Sequence, residues 1–101
     1  MKLNQLERQI IEWGEAKGIL PNPDPLAQWN KTHEEVVELL QAIIKSDRDE
    51  ARDAIGDVFV TLVMQCGHWG FTMDECVEQA YNVISKRTGK MVDGQFVKDG
   101  E

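Results

Sequence analysis

The sequence has no long apolar run, few cysteines and fewer basic than acidic residues, and each shortage excludes a class of protein. No stretch approaches the roughly 20 apolar residues that a membrane-spanning helix needs. The two cysteines, Cys66 and Cys76, lack the density and spacing of a disulfide scaffold, so we expect reduced thiols in a soluble, cytoplasmic protein. With 18 acidic and 11 basic residues, the net charge of -7 argues against nucleic acid as a partner, as the missing apolar run argues against a membrane.

Apolar residues recur at helical spacing in four segments of the chain. A proline-rich break at residues 21–25 separates the first segment from the second. We therefore predict four helices, which begin near residue 4, at residue 25, near residue 49 and at residue 73. The signals that bound them are Asn4 and Gly18 for the first, Asp24-Pro25 for the second, Ser46 or Asp47 for the third, and a Thr72–Glu75 capping box for the fourth.

The last segment, residues 89–98, has a different pattern. Asp93-Gly94 separates two short apolar runs and is favoured in two-residue hairpin turns. We predict an all-α fold, a four-helix bundle with a short C-terminal β-hairpin, as a single domain over residues 1–101. Because so short a chain buries only a modest core, we expect oligomerisation to complete the packing of the helices. The fourth helix should bury Val77, Ala80, Tyr81 and Ile84.

Acidic side chains recur one turn apart on two of the predicted helices. Glu35 and Glu38 share a face of the second helix, and Asp53 and Asp57 share a face of the third; Glu34 and Glu50 are further candidates. A short loop makes these helices antiparallel neighbours, so the two acidic faces can oppose each other. Few bases are placed to pair with these acids, and buried carboxylates without a partner hold a cation or raise their pKa. Oxygen ligands favour a hard ion, Mg²⁺ first and Mn²⁺ next, and a solvated acidic surface is the alternative.

Three segments carry a resemblance to a known family. EEVVELL at residues 34–40, DAIGDVFVTLV at residues 53–63 and AYNVISKRTGKM at residues 80–91 resemble the MazG-like all-α nucleoside triphosphate pyrophosphohydrolases. The likeness is closest to the short, single-domain members found in phages and mobile elements, and it spans residues 24–98. The family signature is ExxE on one helix and ExxD, with Gly before the Asp, on the next.

The resemblance implies hydrolysis of an NTP or dNTP to the monophosphate and pyrophosphate by a homodimer or tetramer whose active sites lie near the subunit interface. It implies Mg²⁺ bound by Glu35, Glu38 and Asp57, and Glu35 or Glu38 as the group that orients or deprotonates the attacking water. Residues near the acidic helix or at the end of the fourth helix are the candidates for substrate binding: Trp29, Lys31, Asn82, Lys86 and Arg87. Most of these residues also have an alternative role that needs no ligand. Trp29 can pack in the core, Lys31 can pair with Glu35, and Lys86 and Arg87 can complement the dipole at the C-terminus of the fourth helix.

One position departs from the family pattern. Ala54 occupies the place of the acid three residues before Asp57, and Asp53, one residue earlier, is the candidate substitute ligand. The departure leaves the number of metal ions open. It also supports an alternative function, in which the chain is a non-catalytic helical dimerisation module that has lost part of its metal site.

Overall fold

The structure, a computed structural model, describes residues 1–21 and 24–100. In chain order, these residues form α1 (Leu3–Ala16), α2 (Pro25–Lys45), α3 (Arg48–Trp69), α4 (Met73–Ile84), β1 (Gly89–Val92) and β2 (Gln95–Lys98). The predicted all-α fold with a C-terminal hairpin is confirmed. Within the predicted proline-rich break, Asn22 and Pro23 lie outside the described residues. None of the described helices is long and apolar enough to cross a membrane.

Side-chain caps fix where the helices begin. Three capping oxygens accept hydrogen bonds from backbone amides: Asp24 Oδ1 from Ala27 N (3.0 Å), Asp47 Oδ1 from Glu50 N (3.1 Å) and Thr72 Oγ1 from Glu75 N (3.2 Å). The prediction of Asn4 as the first cap is wrong, because α1 already begins at Leu3. There the Gln5 side chain accepts a hydrogen bond from the backbone amide of Lys2 (3.1 Å).

The helix ends differ slightly from the predicted ones. α3 continues to Trp69, and Gly70 stops it in the left-handed conformation with φ 78°. α4 ends at Ile84, so Lys86 and Arg87 follow the helix rather than form its last turn. Gly18, with φ 77°, follows α1 as expected.

α2 and α3 form the central pair of the fold. Only Ser46 and Asp47 connect them, and Ser46 takes the left-handed conformation (φ 54°) that turns the chain back on itself. Buried alanines on both helices, Ala42 and Ala54, allow the two backbones to approach closely. At the far end of the pair, Gln65 Nε2 donates to the backbone oxygen of Pro25 (3.1 Å). The short connection therefore makes the pair antiparallel and fixes its register.

The hydrophobic core lies where α1 and the residues that follow it pack against α3. Leu20, Val63 and Met64 are buried there, and Ile10, Ile11, Ile19, Phe59 and Met73 pack around them. Two glycines permit this packing. A Cβ atom at Gly67 would lie 2.7 Å from Leu20 Cδ1, and one at Gly14 would lie 2.5 Å from Met64 Sδ. A larger residue at either position would displace the side chain of Met64 or Leu20 from its place in the core.

α4 is attached to the rest of the molecule through its first turn. The buried Glu7 of α1 accepts a hydrogen bond from Met73 N at the start of α4, with 2.8 Å between Glu7 Oε2 and the amide nitrogen. A carboxylate at this end of a helix satisfies an unpaired amide and complements the helix dipole. Met73 and Cys76 are partly buried, and every other residue of α4 is exposed.

The hairpin has the predicted turn. β1 and β2 pair antiparallel, with Met91 opposite Phe96 and Val92 opposite Gln95. Asp93 and Gly94 both have positive φ, 49° and 79°, as a two-residue hairpin turn requires. Thr88 and Asp99 close the open end through a hydrogen bond of 2.7 Å between Thr88 Oγ1 and Asp99 Oδ2.

Large apolar side chains remain exposed on the single chain, so the predicted buried face of α4 is wrong for one copy alone. Val77, Tyr81 and Ile84 are 56%, 61% and 52% exposed, and Met91 and Phe96 of the hairpin are 64% and 51% exposed. Soluble monomers rarely expose so continuous an apolar surface, and a two-stranded hairpin is marginal in water. We propose that a second copy of the chain covers α4 and the hairpin, in a dimer or a tetramer.

A charge placed on this surface should disrupt the assembly. We expect the wild type to sediment as a dimer or tetramer at micromolar concentration. Val77→Glu should weaken its association at least tenfold, because burying a carboxylate among apolar groups is costly. Gln79→Glu adds the same charge about 200° around the helix and should leave the assembly unchanged. A wild-type species of 11.5 kDa alone would contradict the proposal.

Candidate metal centre

Three carboxylates from the central helix pair converge. Glu35 and Glu38 lie one turn apart on α2, and Asp57 lies on the facing side of α3. Each offers an oxygen within 4.8 Å of the others. The antiparallel pairing of α2 and α3 produces this arrangement, because Glu35 and Asp57 stand at similar distances along the chain from the connection at Ser46–Asp47.

Glu35 is half-buried, and its Oε2 atom is buried with no hydrogen-bond partner among the described residues. Burial raises the pKa of Glu35, and hydrogen bonding to Glu38 and repulsion by Glu38 and Asp57 raise it further. A buried carboxylate oxygen without a donor has lost the hydration that stabilises its charge, so the site favours either a proton or a cation there.

Asp57 has a similar environment on the other helix. Burial raises its pKa, followed by repulsion from Asp53 and Glu38. Neither Asp57 nor Glu35 forms an ion pair among the described residues, where the recorded pairs are Lys31–Glu34 and Arg52–Asp49. The acidic cluster, formed by Glu35, Glu38 and Asp57, is therefore not neutralised by a direct ion pair, although the charge of Lys31 lowers the pKa of Glu35 in part.

The donor set fits a hard divalent cation. Mg²⁺ takes oxygen ligands at 2.0–2.1 Å, so two ligands of one ion lie at most about 4.2 Å apart. The oxygens of the acidic cluster lie within 4.8 Å of one another, and small side-chain rotations would close the difference. The unpaired Oε2 of Glu35 is the feature that a cation would satisfy. The cluster is thus suited to bind one such ion.

Asp53 lies outside this group, although it was predicted as a fourth ligand. It is exposed and borders a polar cavity of about 230 Å³ that is also lined by Glu38, Gln41, Lys45, Glu50 and Ala54. Its charge nonetheless contributes to the raised pKa of Asp57. Ala54, where the family pattern has an acid, is buried and lies beside Glu38 in this cavity. Position 54 therefore borders the same cavity as Glu38, and the alanine brings no carboxylate to it.

The residues predicted near the acidic helix are placed on its surface. Lys31 pairs with Glu34 (3.1 Å from Nζ to Oε2) rather than with Glu35, so that predicted pair is not formed. Hydrogen bonding to Glu34 and its charge raise the pKa of Lys31, as do the charges of Glu35 and Glu38. Trp29 is half exposed, and its ring lies 6.1 Å from that of His33.

The residues predicted near the end of α4 are exposed and separate from the acidic cluster. Asn82 and Lys86 line a shallow surface depression together with Glu75 and Glu78. Arg87 lies by the apolar side of α4, next to Val83 and Ile84. In the single chain, these residues therefore do not line the same cavities as the acidic cluster.

A groove beside Asp57 was not foreseen from the sequence. It has a volume of about 740 Å³ and runs between α1, which contributes Leu3, Leu6 and Ile10, and α3, which contributes Ile55 and Phe59. Asp53, Asp57 and Arg52 line its edge. Arg52 is the base closest in sequence to Asp57. Its position five residues earlier in the segment DEARDAIGD was the sequence feature that could have indicated a base near this groove. The α1 residues gave no such signal, because their exposure depends on how α1 packs on α3.

Comparisons with known proteins identify a family for most of the chain. Residues 24–92 match the family described as the MazG nucleotide pyrophosphohydrolase domain. The chain is also 36% identical over 62 residues to an uncharacterized 18.2 kDa protein from the rep-hol intergenic region of Haemophilus phage HP1 (strain HP1c1). That match covers 61% of this chain but only 38% of the phage protein. No solved structure is significantly similar to the chain.

From the raised pKa of Glu35, we predict how the stability of the metal-free protein depends on pH. A carboxyl whose pKa is higher in the folded state binds its proton more tightly there, so its ionisation lowers the free energy of unfolding as pH rises above the ordinary value of 4.5. In buffer with a chelator, Glu35→Gln should melt a few degrees above the wild type at pH 7–8. The difference should vanish near pH 4, where both forms are uncharged at this position.

Glu34→Gln is the matched control, because Glu34 is exposed and bound to Lys31. It should not reproduce the pH-dependent gain in melting temperature. A Glu35→Gln variant that is less stable than the wild type at pH 7–8 would contradict the electrostatic account of the cluster.

Proposed function

The chain belongs to the MazG nucleotide pyrophosphohydrolase domain family, and on this basis we propose that it hydrolyses nucleoside or deoxynucleoside triphosphates to the monophosphate and pyrophosphate. The matched residues, 24–92, contain all of α2, α3 and α4. The single observation that supports catalysis most directly is the convergence of Glu35, Glu38 and Asp57.

The acidic cluster would hold Mg²⁺, with Mn²⁺ as a substitute, through these three residues. When bound, such an ion neutralises phosphate oxygens and lowers the pKa of a coordinated water. The candidates for the carboxylate that acts on the attacking water are Glu35 and Glu38. Glu38 is exposed and can contact water directly, whereas Oε2 of Glu35 would be bound to the ion, so that Glu35 would act through its other oxygen. One of the two therefore orients or deprotonates the water that attacks phosphorus.

The leaving pyrophosphate needs positive groups. Arg52 borders the groove beside Asp57 and can approach a phosphate without moving a helix. Lys86 and Arg87 follow α4, which is exposed on the single chain; in an assembly, α4 of either copy can bring them to the nucleotide. We propose that the groove between α1 and α3 takes the base and sugar, because its 740 Å³ lies within the usual 300–1,000 Å³ of small-molecule sites.

A non-catalytic interaction module is the second candidate function. Ala54 favours it, because a buried alanine beside Glu38 removes one of the acids of the family pattern. The two functions differ in their response to metal. A real site raises the melting temperature in Mg²⁺ by mass action, whereas a module with solvated acids does not respond beyond ordinary salt screening.

Removing a ligand should remove both metal binding and turnover. We expect Glu38→Gln and Asp57→Asn to lower Mg²⁺-dependent release of pyrophosphate at least a hundredfold, because each withdraws a carboxylate from a cluster of three. Both variants should keep the helical circular dichroism spectrum and lose the rise in melting temperature with Mg²⁺. The assay separates monophosphate and pyrophosphate by ion-exchange chromatography, with each NTP and dNTP in turn.

Glu34→Gln, on the same helix but paired with Lys31 at the surface, should retain wild-type turnover. Wild-type rates in Glu38→Gln and Asp57→Asn would exclude the acidic cluster as the active site. A wild-type protein without turnover on any nucleotide, and without a melting shift in Mg²⁺, would favour the interaction module.

The role of Asp53 is open to a direct comparison. Asp53 and Glu50 line the same cavity beside Glu38, but only Asp53 also lines the groove with Asp57. If Asp53 substitutes for the acid missing at Ala54, Asp53→Asn should raise the Mg²⁺ concentration for half-maximal activity about tenfold or more. Glu50→Gln should change it less than twofold. Equal, small effects would mean that the site works with three acidic ligands.

A further inference from the structure

The two cysteines meet where α4 is attached to α3. Cys66 lies in the last turn of α3 and Cys76 in the first turn of α4, ten positions later in the chain. Their sulfur atoms are 3.8 Å apart, and Cys66 Sγ also lies 3.4 Å from Met73 Sδ. Both cysteines are free thiols. Cys66 is buried, whereas Cys76 is partly exposed.

We propose that Cys66 and Cys76 are a modification site, a dithiol that mild oxidants convert into an intramolecular disulfide that fastens α4 to α3. A disulfide has a sulfur–sulfur distance of about 2.05 Å, so the two atoms must approach by about 1.8 Å. Rotation of two side chains can supply much of that approach, because the first turn of α4 already lies against α3. The inference concerns a part of the molecule away from the acidic cluster, and it does not depend on the proposed hydrolysis.

A disulfide reagent such as oxidised glutathione completes the reaction in two exchanges. The accessible thiolate of Cys76 first attacks one glutathione sulfur, the reagent's sulfur–sulfur bond breaks, and one glutathione leaves and takes up the proton. The Cys66 thiolate then attacks the Cys76 sulfur of the mixed disulfide, and the second glutathione leaves. Two protein thiols are oxidised and one molecule of oxidised glutathione is reduced to two thiols, so atoms and electrons balance.

The second exchange is the slow one. Burial raises the pKa of Cys66 to about 11, with further contributions from Cys76, Glu7 and Glu75, so little of its thiolate exists at neutral pH. The short distance to Cys76 counteracts this, because an intramolecular attack has a high effective concentration. Ring closure should therefore be slow at pH 7, faster at pH 9, and more favourable than a second glutathione adduct at the buried Cys66.

The disulfide would strengthen an attachment that is otherwise slight. Apart from the turn itself, the contacts that hold α4 among the described residues are the hydrogen bond from Met73 N to Glu7, the sulfur contacts of Cys66 and the packing of Met73 against the core. A bond between residues 66 and 76 closes a short loop and restricts the unfolded chain. We expect the oxidised chain to melt about 5–10 °C above the reduced one.

The test is to incubate the reduced full chain with oxidised glutathione at pH 8, to block free thiols with N-ethylmaleimide in denaturant, and to weigh the intact chain. We expect the wild type to lose two hydrogens, to carry no glutathione and to bind no maleimide. Cys66→Ser should instead retain one glutathione on Cys76, because the resolving thiol is absent. Cys76→Ser should react with glutathione slowly at the buried Cys66.

Three results would overturn the proposal. They are a wild-type chain that stops at one or two stable glutathione adducts, a covalent dimer joined between chains, and an oxidised chain whose melting temperature does not rise. The melting shift must also disappear on addition of dithiothreitol and be absent from both serine variants. A variant that fails to fold does not affect the outcome, because the mass and the melting shift of the wild type decide it.

Discussion

The two-residue connection between α2 and α3 is the constraint on which the candidate site depends. Ser46 turns the chain in the left-handed conformation and Asp47 caps the next helix. Because no further residue separates the helices, neither helix can shift along the other. The register that results places Glu35 and Glu38 opposite Asp57. Buried alanines on both helices keep the backbones close enough for short acidic side chains to meet. A longer connection would permit other registers, in which the same acids would face water.

Electrostatics opposes this arrangement in the protein alone. Burial and mutual repulsion raise the pKa of Glu35 and of Asp57, which means that folding brings these charges together at a cost. The chain as a whole carries a net charge of -7, so the rest of the molecule does little to offset the repulsion. The packing of α1 against α3, through Leu20, Val63 and Met64, is what holds α3 in place against it. Core packing and the acidic cluster thus act on the same helix, α3.

The sequence predicted those features that are encoded locally. Helix starts followed from Asp24, Asp47 and Thr72, whose caps act over three residues, and the acidic faces followed from helical periodicity. Features that depend on packing were missed or misjudged. The Glu7–Met73 contact, the groove between α1 and α3, and the meeting of Cys66 with Cys76 require the relative placement of helices. Lys31 pairs with the exposed Glu34 rather than with Glu35, which is half-buried. The positions of these residues in the sequence do not reveal that difference in burial.

The acidic cluster and the attachment of α4 differ in the sequence separation of the residues that form them. The acidic cluster is contained in residues 35–57, on either side of one tight turn, so closing the chain between its ligands costs little entropy. The Glu7–Met73 hydrogen bond that fixes α4 joins residues 66 positions apart and forms only when both ends of the chain have been gathered in. The three carboxylates can therefore be brought together by a helical hairpin alone, whereas the position of α4, and of the bases that follow it, depends on the whole fold.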